Sequence, residues 1–92
     1  STLVIRADGM RVIGRQGDDM HPNVSRVHLL VELASSPVQL CAGCMGFVTV
    51  IGQNGTAIGG TYYPQGVRVP VYLGTSIELV MDTGIFYKVS YL

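Results

Sequence analysis

Residues 25–33 read SRVHLLVEL, and this stretch decides the fold. Its apolar part, Val27 to Leu33, has the length of one strand, and so few polar residues predict cover on both faces. Ser35-Ser36-Pro37 then breaks the strand. Elsewhere no segment keeps the i, i+3, i+4, i+7 apolar spacing of a helix for long. We therefore predict an all-β domain.

The rest of the chain supports this prediction, because Val, Ile, Thr and Tyr are abundant and glycines punctuate them. Short strands at regular spacing are typical of a β-sandwich of two twisted, mostly antiparallel sheets. Besides the central strand, we predict strands at Thr2–Arg6, Met10–Ile13, Val38–Cys41, Phe47–Ile51, Ala57–Ile58, Thr61–Tyr63, Val67–Tyr72, Ile77–Met81 and Ile85–Tyr91.

Length and composition restrict the class of protein. The 92 residues are 48% hydrophobic and 13% charged, which predicts one folded domain spanning 1–92. The formal net charge is zero, whereas domains that bind nucleic acid directly usually carry an excess of Lys and Arg. No apolar run approaches the length of a membrane span, so we expect no membrane contact. We also expect the chain to be a fragment of a larger intracellular protein.

Three short motifs carry polar side chains suited to binding. They are Gly14-Arg15, Ser25-Arg26-Val27-His28 and Asn54-Gly55-Thr56, separated by predicted strands. Arginine offers a rigid fork of donors that suits phosphate, and an Asn amide can both donate to and accept from a peptide backbone. Each motif is weak alone, but together they favour a loop site for a phosphate on a peptide.

In order and rough spacing these motifs resemble the forkhead-associated (FHA) domain. The segment Val71-Tyr72-Leu73-Gly74-Thr75-Ser76-Ile77 is similar to a Leu-Gly-turn-Ile segment of that family. The resemblance implies a sandwich of about eleven strands whose loops bind phosphothreonine peptides. The local sequence 50–55 is similar to that of some fungal forkhead transcription factors, which implies a nuclear location and a role in signalling or transcription.

The resemblance also implies a role for each matching residue. Phosphate binding falls to Arg15, Ser25 and Arg26, and binding of the peptide backbone to Asn54 and Gln53. Structural support of the site falls to Gly14, His28, Gly55 and Thr56. The family often has Ser or Thr where this chain has Gln53, and a second Asn-Gly where it has Gly59-Gly60. The implied partner is a phosphothreonine protein bound by a monomer without cofactor or metal, and this domain itself makes no nucleic-acid contact.

The sequence is also compatible with two other functions. The first is a structural, docking or dimerisation domain on the same fold with a degenerate phosphate site; its interface would use the exposed members of Tyr62, Tyr63, Val67, Val69, Val71 and Tyr72. The second is a zinc or redox module built on Cys41 and Cys44, for which two structural thiols on a hairpin are the alternative. No catalytic motif is present, so we expect no enzyme.

Overall fold

The computed structural model describes residues 2–6, 9–15, 23–33, 44–72, 74–80 and 86–90. These residues form nine strands and contain no helix. The strands are β1 Thr2–Arg6, β2 Gly9–Ile13, β3 Leu29–Leu33, β4 Cys44–Val50, β5 Thr56–Ile58, β6 Thr61–Tyr63, β7 Arg68–Tyr72, β8 Ser76–Glu78 and β9 Phe86–Ser90.

The strands pair into two sheets. One has the order β1-β9-β8-β5-β6 and the other the order β2-β3-β4-β7. Every pairing is antiparallel except that of β1 with β9, which is parallel. The predicted all-β class with mostly antiparallel pairing is confirmed, and the arrangement is compatible with a sandwich. The count of eleven strands stays a prediction, because it concerns residues beyond those described.

The core is formed by inward-facing residues of both sheets. Leu29 and Val31 of β3 are fully buried, and so are Val48 of β4 and Ile77 of β8. They belong to one hydrophobic cluster, to which Met45, Leu79 and further valines contribute. Tyr87 of β9 belongs to the same cluster, and burial raises the pKa of its hydroxyl above the ordinary value for tyrosine. The burial of apolar side chains from both sheets explains why the two sheets stay together.

The predicted central strand is shorter than expected. It starts at Leu29, and Val27 before it is 47% exposed rather than buried. The sequence from Val27 to Leu33 shows no sign of a break, but the chain bends at residues 26–27 and only then enters the sheet. The predicted strand Val38–Cys41 lies outside the described residues. Strand β4 pairs with β3 and β7, which places it in the centre of its sheet.

Two features of this topology place the candidate site. Strand β2 leads directly into Gly14 and Arg15, and β3 follows directly on residues 23–28. The turn at residues 51–55 connects β4 of one sheet to β5 of the other. In the part of the chain that the structure describes, no helix is long and apolar enough to cross a membrane.

Candidate functional site: three loops around a buried histidine

His28 lies at the centre of the candidate site and is fully buried. The backbone N–H of Ser25 donates to its Nδ1 at 3.0 Å. Because a backbone N–H can only donate, Nδ1 must carry the lone pair. The proton of the neutral ring is then on Nε2, which donates to the carbonyl of Gly55 at 2.8 Å. One imidazole therefore joins the loop of Ser25 to the turn of Asn54 and Gly55.

The backbone of His28 strengthens the same junction. Its N–H donates to the carbonyl of Ile13, and its carbonyl accepts from the N–H groups of Ile51 and Gly52, all at 2.9 Å. The N–H of Arg15 donates to the carbonyl of Ser25, also at 2.9 Å. The three motifs found in the sequence are thus joined to one another by the hydrogen bonds of His28 and by the bond between Arg15 and Ser25.

Two glycines allow this close packing. A Cβ added to Gly14 would lie 1.7 Å from the carbonyl oxygen of Arg26, and one added to Gly52 would lie 2.3 Å from Nδ1 of His28. Neither distance is compatible with a side chain. The contact of Gly52 with the His28 ring is a finding of the structure. The sequence carries no signal for it, because the contact joins residues far apart in the chain.

Asn54 is exposed at the rim of the cluster. Its Nδ2 donates to the carbonyl of Asn23 at 2.9 Å, which ties the turn to the start of the Ser25 loop. A carboxamide has a second N–H and a carbonyl oxygen, so this bond does not exhaust the capacity of Asn54 for a peptide backbone. Gln53, beside it, is also exposed.

The candidate phosphate-binding residues lie on the first two loops. Arg15 and Ser25 are half-buried, and Arg26 is exposed. The described parts of these loops, residues 14–15 and 23–28, contain two charged side chains, and both are arginines. The described parts of the two loops therefore offer two guanidinium groups and one hydroxyl close in the chain to the buried His28. That combination suits an oxyanion with several acceptor oxygens.

Thr56 and Tyr62 support the turn from the other sheet. The hydroxyl of Thr56, fully buried, lies 2.8 Å from the carbonyl of Glu78 and 2.7 Å from that of Leu79, and its single proton serves one of them at a time. Gly55 has a φ of +70°, and the Tyr62 hydroxyl lies 2.6 Å from the position of a Cβ there. Sequence reasoning had not placed Tyr62 at this site.

Within the part of the chain that the structure describes, Cys44 does not belong to a metal centre. Cys44 is fully buried, and its thiol donates to the carbonyl of Gly46 at 3.2 Å, as a structural thiol would. Cys41 lies outside the described residues. Among those that are described, no three His, Cys, Asp or Glu side chains are grouped so that they could hold a metal ion.

Comparison with known proteins identified no relative of this chain. Protein-family models, curated proteins and solved structures gave no significant match to the chain.

Proposed function

We propose that this domain binds peptides that contain phosphothreonine, as a protein-interaction module in nuclear signalling or transcription. The observation that carries the proposal is the position of His28, which holds the loops of Arg15, Ser25 and Asn54 together. These joined loops carry a guanidinium, a hydroxyl and a carboxamide. Such a set matches a phosphate attached to an extended backbone.

The strength expected of such a site is modest. Phosphothreonine carries roughly −1.5 to −2 charges and three acceptor oxygens. Each hydrogen bond to a charged group contributes about 1.5–3 kcal/mol. Two or three such bonds, with backbone contacts from Asn54, correspond to a binding free energy of about −8 kcal/mol. The dissociation constant is then near the micromolar range.

Calorimetric titration with a phosphothreonine peptide and its unphosphorylated twin tests the proposal. We expect the wild-type chain to bind the phosphorylated peptide alone, and Arg15→Ala to lose at least about tenfold in affinity, equivalent to about 1.4 kcal/mol. Arg68→Ala is the matched control: it removes the same charge from β7, where Arg68 pairs with Glu32 at 3.7 Å and lies over the ring of Phe47. Equal binding by wild type and Arg15→Ala would refute the assignment.

A docking domain with a degenerate phosphate site is the second candidate, and the exposed tyrosines favour it. Tyr62 is 48% and Tyr72 43% exposed. Val69 and Val71 of the same segment are buried in the core, so they would not be part of such an interface. Sedimentation of the chain over a range of concentrations tests this candidate, which predicts self-association and no response to phosphopeptides.

A further inference from the structure

Strand β2 lies at the edge of its sheet as far as the structure describes it, and it carries two exposed apolar side chains. Met10 is 69% and Val12 56% exposed, the highest values among the described large hydrophobic residues. They lie two residues apart and so project to the same face of the sheet. Strand β2 pairs with β3 on one side, and no other described strand pairs with its opposite side.

This edge is continuous with the candidate phosphate site. Strand β2 ends at Ile13, whose carbonyl accepts from the N–H of His28, and Arg15 follows two residues later. From Met10 to Arg15 the chain advances five residues, about 16 Å if it stays extended. A peptide that holds its phosphate at Arg15 and follows β2 would therefore reach Met10 about five residues from its phosphothreonine.

The charge on this edge indicates what the peptide should contain. Arg11, between Met10 and Val12 in sequence, is exposed and projects to the other face of the strand. A peptide strand lying along β2 alternates its side chains in the same way. Apolar residues on one of its faces would pack on Met10 and Val12, while acidic residues on the other would lie beside Arg11.

We propose that the edge of β2 that no described strand covers is a second contact for the phosphorylated partner, which adds an extended segment of alternating apolar and acidic residues to this sheet. The inference rests on the phosphopeptide function proposed above. Main-chain hydrogen bonds from an exposed strand and pockets for alternate side chains are an established mode of peptide recognition. Here the mode would lengthen a short phosphate contact into a bipartite one.

The test compares a short phosphothreonine peptide with versions that carry six more residues on either side of it. In one pair the added residues alternate Val and Glu, and in the control pair they alternate Gly and Ser. We expect one Val-Glu peptide to bind about tenfold tighter than the short peptide, since it buries two apolar side chains. The double variant Met10→Gln, Val12→Thr should lose this gain and bind the short peptide as wild type does.

The matched control is Tyr72→Ser, which removes an exposed apolar side chain from β7 at the other end of the sheet order and should keep the gain. Phosphate-dependent binding of the short peptide with no gain for any extension would overturn the inference and leave the proposed function standing. A gain that survives the double variant would also overturn it. Self-association that the double variant abolishes would assign the edge to a second copy of the chain instead. If no peptide binds in a phosphate-dependent manner, the proposed function fails, and this inference fails with it.

Discussion

Two turns that contain glycine flank β5, and the structure builds them for different reasons. In the turn at residues 52–55, Gly52 packs directly on the ring of His28. In the turn at Gly59 and Gly60, a Cβ at either residue would meet nothing within 4 Å. There the requirement is the backbone alone, because φ is +60° at Gly59 and +82° at Gly60.

The difference separates a turn that organises a site from one that closes a hairpin. Positive φ at both central residues of a two-residue hairpin is the pattern of a type I′ turn, for which Asn-Gly is as suitable as Gly-Gly. At Gly59 the structure therefore leaves room for a side chain such as that of Asn. The packing on His28 permits no such exchange at Gly52.

The largest effect on stability is expected from removing the imidazole ring of His28, against which the first turn packs. His28→Ala leaves the Ser25 N–H and the Gly55 carbonyl without their partner and opens a cavity. Each unsatisfied buried group costs about 1–3 kcal/mol, so we expect the free energy of unfolding to fall by about 4 kcal/mol. Urea denaturation measures this. A loss below about 1 kcal/mol would mean that His28 does not hold the loops together.

Gly52→Ala should have the next largest effect. The φ of Gly52 lies outside the left-handed region, so alanine fits the backbone, and the cost comes from its Cβ at 2.3 Å from Nδ1 of His28. We expect a loss of about 2–3 kcal/mol from overpacking, measured in the same denaturant series. Hydrogen exchange should also show a less protected Ser25 amide, since a displaced ring no longer accepts from it. An unchanged Ser25 amide would contradict this reason for the loss.

The smallest effect is expected at the second turn. Gly59→Asn should change stability by no more than about 0.5 kcal/mol and in the stabilising direction, because Asn tolerates this φ and restricts the unfolded chain. The melting temperature should stay level or rise slightly. A large loss would show that Gly59 makes a contact comparable to that of Gly52, and the contrast between the two turns would disappear.

The sequence predicted features that depend on neighbouring residues and missed those that depend on distant ones. Glycine spacing and β-branched runs located most strands, and Thr2–Arg6 and Thr61–Tyr63 have the predicted bounds. The parallel pairing of β1 with β9 was not predictable, because it joins the two ends of the chain. Val27 was wrongly assigned to the central strand, because its apolar side chain does not reveal that the backbone bends there.

The same limit applies to the candidate site. His28 lies in the stretch that predicted the central strand, and the structure buries it with both ring nitrogens hydrogen-bonded. The contacts of Gly52 with that ring and of Tyr62 with Gly55 were not predicted, since each depends on how separate segments pack. Whether Arg15, Ser25 and Asn54 bind a phosphopeptide stays a prediction.

A backbone amide NMR titration of the wild-type chain with a phosphothreonine peptide tests the central claim most directly. We predict saturable shifts at Arg15, Ser25 and Asn54, none at Gly59 and Gly60, and no shifts with the unphosphorylated peptide. Shifts that are equal with both peptides, or that avoid the loops around His28, would contradict the account.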